Sequence, residues 1–386
     1  MNFISRFGFI LFLSCLSCKG LMGLSSKVYV TNHFGDNVSV IDTATDTVIA
    51  TVDAGHQPSS VSILPNGSKA YVANFFDAQI TVIDTATNTV KTSIPVGMNP
   101  LQARISPNGT KVFVANSNSN TISVIDTSTD TVIATIEVGE TPTFTAFTPD
   151  SSKAYVANTS DNIVSVINTA TNTVTTSIMT GKSPFCVAIT PDGTKALVAN
   201  FNDNTVSVID IASNTVSTTI SVGMRPTFVG ITPDGTQGYV SNLLSNTVSA
   251  IDISTNTVTA TISVGTGPYR MTITPDSSKV YIENNNSGSV SVINTSTNTV
   301  SSTIALPDNP YAIGVTPDGT KAYVSIVDTN QISVIDTSTD TLTTSVTVGS
   351  APWGLSISVP IATPLLQSTS VESGFWSGFF RQAKHP

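Results

Sequence analysis

The chain has 386 residues and a formal net charge of −9, yet only 11% of its residues are charged, against ~25% in ordinary soluble domains. A hydrophobic share of 40% excludes a disordered chain, and the abundance of Thr, Val, Ser and Asn favours strands and turns over a coiled coil. Lys and Arg number 16 against 25 acids, which excludes nucleic acid or an anionic membrane as the main partner, because phosphate neutralisation needs clustered cations.

Residues 1–24 carry Arg6, an apolar run from Phe7 to Leu16, and then small residues. That order predicts a secretory signal peptide, and the run is shorter than the ~20 residues of a membrane span. Export is therefore expected, to a secreted, periplasmic or cell-surface location. Gly23 marks one cleavage point. Ser17-Cys18 is the alternative and would leave Cys18 as a lipid anchor.

From residue 25 the sequence repeats. Val-Ser-Val-Ile-Asp ending at Asp42 returns in variants ending at Asp84, Asp126, Asn168, Asp210, Asp252, Asn294 and Asp336, always 42 residues apart. A proline keeps the same spacing from Pro58 to Pro352. Each period holds four short apolar runs separated by turn compositions such as Pro-Asp-Gly-Thr and Phe-Asn-Asp-Asn. A four-stranded antiparallel unit of 40–45 residues is a propeller blade. The predicted fold is thus all-β: a β-propeller of eight four-stranded blades over 25–360. Strands are named a to d from the axis outward, a beginning at the proline. The chain enters at strand b (27–32) and finishes on an orphan strand a (352–359), so pairing of the two is expected to close the circle and hide an open edge. Low charge follows, because neighbouring blades cover both faces of each sheet.

Tyr-Val-Thr-Asn at 29–32, Tyr-Val-Ala-Asn at 71–74 and 155–158, and Thr-Pro-Asp-Gly-Thr at 190–194, 232–236 and 316–320 resemble the YVTN-type β-propeller repeat. That family includes surface-layer and exported bacterial propellers. The resemblance implies a propeller, usually of seven blades, which makes seven the alternative to the eight counted here.

The a–b and c–d turns hardly vary, so their Asp, Asn and Thr are read as turn formers, and the lysine before each strand b as a solvated position. Variation concentrates in the b–c and d–a loops, which leave a propeller on one end. The b–c loops offer Phe34, Phe75, Phe76 and Phe201, and the d–a loops His56 and Arg225. The position after the proline holds Phe185, Tyr269, Tyr311 and Trp353 in four blades. Exposed aromatics at such a mouth suit recognition of a protein or a glycan. Two arginines break the inner strand: Arg104 occupies a column otherwise filled by Ser, Ala, Gly or Thr, and Arg270 sits two after its proline, while Glu283 replaces the Ala, Ser or Thr of its motif. If Thr274 pairs with Lys279, Arg270 lies opposite Glu283 on one face, which predicts an ion pair near the channel. These thirteen residues form the expected binding set.

Catalytic machinery is not expected, nor a metal or cofactor. Of the three histidines, His33 and His56 sit in loops of the first blade, within reach of each other or of Asp36, and His385 lies in the tail. No nucleophile elbow, His-x-x-x-His or Gly-rich phosphate loop occurs. Cys186 reads as a small apolar core residue. The tail, 361–386, ends in Phe375, Trp376, Phe379 and Phe380. It is either a disordered end folded back on the propeller or a short amphipathic helix for a membrane surface or partner. The combined expectation is a monomeric, exported binding scaffold. The alternatives are a lactonase-like hydrolase, whose fold the family resembles, and a structural surface-coat protein.

Overall fold

The computed structural model describes residues 25–360, so the expected signal peptide, Cys18 and the aromatic tail lie outside the described residues. Thirty-two strands form eight antiparallel sheets of four. Seven of the sheets take their strands in chain order, a to d. The eighth is assembled from both ends of the chain, in the order Thr47–Asp53, Asn37–Asp42, Lys27–Asn32 and Pro352–Ile357. The propeller has eight blades, and seven is excluded.

Closure is a main-chain register. Val28 pairs with Ile357, Tyr29 with Ser356 and Val30 with Leu355. At one end of this pair the Ser358 N–H donates to the Lys27 carbonyl at 2.9 Å, and at the other the His33 N–H donates to the Ala351 carbonyl at 2.8 Å.

The strand patterns have a packing cause. Strands b and c are buried on both faces, as in Lys27–Asn32 and Asn37–Asp42, whereas strand d alternates exposed and half-buried residues, as in Thr131–Glu137. Apolar side chains of adjacent blades interlock at each junction. Val28, Val30 and Leu355 meet Tyr323 and Val334 where the first blade meets the eighth. An isolated blade would leave both faces bare, so the stable unit is the closed circle.

The periodic lysines are not solvated. Lys69 is half-buried, and its Nζ donates to the Thr127 carbonyl at 2.6 Å and to the Asp130 carboxylate at 2.8 Å, both in the c–d turn of the next blade. Tyr71 donates its hydroxyl to the same carboxylate at 2.7 Å. Lys27, Lys153 and Lys279 repeat the contact on the carbonyls of Thr85, Ile211 and Thr337, and Gln237 takes the role once, on Thr295. Lys111 and Lys195 do so on Thr169 and Ile253. The acceptor Asn or Asp has positive φ in each turn, for example 54° at Asn88 and at Asp130, a conformation these two residues tolerate best after glycine. Lys-x-Tyr and the turn's last Asx are therefore the two halves of one inter-blade latch.

Candidate functional site

The b–c and d–a loops do share one end, and hydrogen bonds tie them together. Carboxylate or amide oxygens of Asp36, Asn120, Asn162 and Asn204 accept the N–H groups of Gln57, Thr141, Ser183 and Arg225 at 2.8–3.0 Å. Asp77, Asp161 and Asp203 accept those of His56, Glu140 and Lys182 at 2.6–2.7 Å. The last two positions of most b–c loops are thus clamps for the neighbouring d–a loop. Free variation is left to the first two, and to the residues flanking the clamped amides.

The mouth aromatics are expected from the sequence to be a displayed surface. Most of them are a plug instead. Phe185 stacks with Phe201 at 5.7 Å between centroids and meets Tyr269 at 6.4 Å. Tyr269 meets Tyr311 at 6.5 Å, Tyr311 meets Trp353 edge-on at 4.7 Å, and Trp353 packs on His33 at 4.0 Å. Tyr311 is 2% and Trp353 7% exposed, and Phe201 and Tyr269 are likewise buried, with Phe185 half-buried. The residue after the proline faces the axis, where the eight inner strands converge, and the rings of four blades occupy much of that space, with Leu101, Thr143 and Thr227 bordering what is left. Arg270 lies 5.5 Å from the Tyr269 centroid and 5.8 Å from that of Tyr311, and Arg225 lies 5.1 Å from Phe201, within cation–π range.

Below the plug, Phe144, Phe228, Cys186, Gln102 and Arg270 line an axial space of only about 30 Å³. Glu283 is fully buried, and burial pushes its carboxyl up to about 8 against the opposing pull of the Arg270 charge. The two residues are in contact: the Arg270 main-chain N–H donates to Glu283 Oε1 at 3.1 Å. Met271 opposite Ile282 obeys the expected register, and the pairing shifts between Pro268 and Met271, the irregularity that follows the proline in the other blades too. Burial likewise pushes the Cys186 thiol up to about 12, opposed by a backbone hydrogen bond with Val229 and then by the charges of Arg270 and Arg104, and Arg104 is half-buried on its inner strand. Cys186 is a core residue, 1% exposed.

The rim is what remains accessible. Phe34 is 64% and Phe76 63% exposed. With Asp36, His56 and Gln57 they border a groove of about 290 Å³ between the first and second blades. Phe75 packs edge-on against Phe76 at 5.3 Å. His56 Nδ1 lies 2.8 Å from Asp77 Oδ1 and its Nε2 3.9 Å from Asp36 Oδ2. The hydrogen bond to Asp77, followed by the two carboxylate charges, raises its pKa. His33 is the residue the binding set missed. Burial lowers its pKa to about 4, its Nδ1 sits 3.4 Å from the Pro58 carbonyl, and it closes the arc of rings rather than meeting His56. Its place beside Trp353 depends on the closing strand, which no local motif reports. Among the described residues no group of three or more His, Cys, Asp or Glu is placed to hold a metal ion.

This is a closed eight-bladed β-propeller with a self-filled mouth and an uneven, partly aromatic rim. Residues 23–356 match the family model described as the cytochrome D1 heme domain, and the chain belongs to that family. No curated protein matches the chain. Among solved structures it is similar to the dihydro-heme d1 dehydrogenase NirN in complex with DHE, at 17% identity and a TM-score of 0.75, over 87% of this chain and 75% of that one. It is also similar to the Kuenenia stuttgartiensis hydrazine synthase, at 23% identity and 0.61, over 73% and 96% of the two chains. Citrobacter koseri AztD follows at 12% identity and 0.67, over 86% and 98%. Identities this low establish a shared fold alone. The residues present do not fit a heme: a cofactor of that size needs a slot of at least ~300 Å³, and the axial space is about a tenth of that.

Proposed function

We propose that the chain is an exported binding module, without chemistry of its own, that engages a protein partner through the rim of its loop end. The observation that carries this reading is the exposure of Phe34 and Phe76 on either side of Asp36 and His56, around an open groove. Large apolar side chains stay in water at a cost unless something covers them, and Met98, Met224 and Leu244 stand exposed on the same rim. Acids outnumber bases in these loops, where Asp36, Asp77, Glu140, Asp161, Asp203, Asp308 and Asp328 face only Lys182, Arg225 and His56. A partner presenting basic and apolar side chains is complementary to that pattern.

Position supports the same reading. Described residues at both chain ends emerge on the turn side, opposite the rim, where Ser25 donates to Asp42 and Lys27 to Ser358. A membrane attachment at the N-terminus would therefore leave the rim free. Export rests on the apolar leader and on the likeness of Tyr-Val-Thr-Asn to the repeats of exported propellers.

The test compares the intact protein with a Phe34→Ser/Phe76→Ser double variant for recovery of extracytoplasmic proteins and for retention on immobilised glycans. Loss of a protein partner with an unchanged melt supports the reading. Equal recovery by both discards the rim, and retention on glycans alone replaces protein by sugar as the ligand.

A further inference from the structure

We infer that this member of the cytochrome D1 heme domain family fills its own mouth with side-chain rings and takes no heme. The arc Phe185–Tyr269–Tyr311–Trp353–His33 spans the mouth with successive centroids 4.0–6.5 Å apart. Those separations are ring contacts, so no flat macrocycle enters between these rings, and the space bordered by the neighbouring mouth positions Leu101, Thr143 and Thr227 is only about 30 Å³. Below them the interior holds room for a water or two, not a tetrapyrrole.

The side chains able to ligate iron lead to the same conclusion. Heme iron takes His, Cys, Met or Tyr. His33 is buried with its ring against Trp353 and its Nδ1 toward Pro58. Cys186 is in the core and its thiol is held protonated by burial. Tyr71, Tyr155 and Tyr323 are spent in the inter-blade latches. Met98 and Met224 stand exposed on the rim and border neither the axial space nor the groove, and His56 alone among these ligands opens onto a groove of comparable size, where Asp36 and Asp77 flank it. Two carboxylates beside the imidazole repel the acidic side groups of a heme. The family's fold is kept here while the space its name implies is filled from within.

The test uses the full chain carrying Trp376→Phe, which leaves Trp353 as the only tryptophan, titrated with hemin and, separately, with heme d1. The expected result is a blue-shifted Trp353 emission that is not lost on either addition, with the Soret band of the free pigment unshifted. Quenching that never saturates, with an unshifted Soret band, counts with this result. Saturable loss of Trp353 emission, or a shifted Soret band that reaches a plateau at one heme per chain, overturns the inference. Its failure is separate from that of the rim reading, since partner recovery is measured without any heme.

Discussion

Lys321 Nζ lies 2.7 Å from Asp46 Oδ2, joining the eighth blade to the first across 275 residues of chain. The hydroxyl of Tyr323 donates to the other oxygen of the same carboxylate at 2.5 Å. The latch that follows each blade to its neighbour thereby comes full circle. Asp46→Ala removes the acceptor for both donors and leaves a half-buried ammonium facing one carbonyl. The expected loss is about 1.5–3 kcal/mol, the range for hydrogen bonds to charged groups, measured by denaturant unfolding. A similar loss is expected for Asp130→Ala, which holds Lys69, Lys91 and Tyr71 at an ordinary junction.

Plug and rim respond oppositely to truncation. Trp353→Ala opens a cavity among Tyr311 and His33 and is expected to cost about 3–5 kcal/mol. Phe34→Ser, at a position 64% exposed, is expected to stay within about 0.5 kcal/mol of the parent. Parallel melts of the two variants check this, and equal losses would mean the arc is not packed as described.

Glu283 gives stability a defined dependence on pH. Burial raises its carboxyl from an ordinary 4.5 to about 8 in the folded state, so the folded protein binds the proton more tightly than the unfolded chain. Its contribution is complete below about 4.5 and is lost as pH rises through about 8. Glu283→Gln is expected to remove that fall, so that the variant gains on the parent between these limits. A parent and variant whose difference in stability is flat across this range would contradict it.

The two loop histidines are expected to titrate far apart. Burial holds His33 near 4, while Asp77 keeps His56 above its ordinary value. Imidazole proton shifts followed by NMR resolve both, and Asp77→Asn should lower the His56 midpoint and leave His33 in place.

The repeat made the fold readable. Spacing counted the blades, and the unmatched strand a named its own partner. What spacing could not show was contact across junctions. Lys69 looks like any surface lysine until the turn 58–61 residues ahead is seen beneath it. Trp353 and Tyr311 occupy the variable column of a loop-bordered position, yet that column points at the axis, where eight strands crowd together. Counting back from the Pro-Asp-Ser-Ser turn gives the observed pairing of Met271 with Ile282, whereas the register shift that follows the inner-strand proline in blade after blade is a backbone feature that composition does not encode. Phe34 and Phe76, in the loops themselves, met the expectation of exposure.

Closure is tested most directly by hydrogen exchange on the full chain and on one ending before Pro352. In the full chain, amides of Lys27–Asn32 should be as protected as those of Lys153–Asn158, because each strand lies between two others. Truncation should strip protection from Lys27–Asn32 and break the cooperativity of unfolding. Identical protection and an identical melt in the two chains would contradict a propeller clasped by its ends.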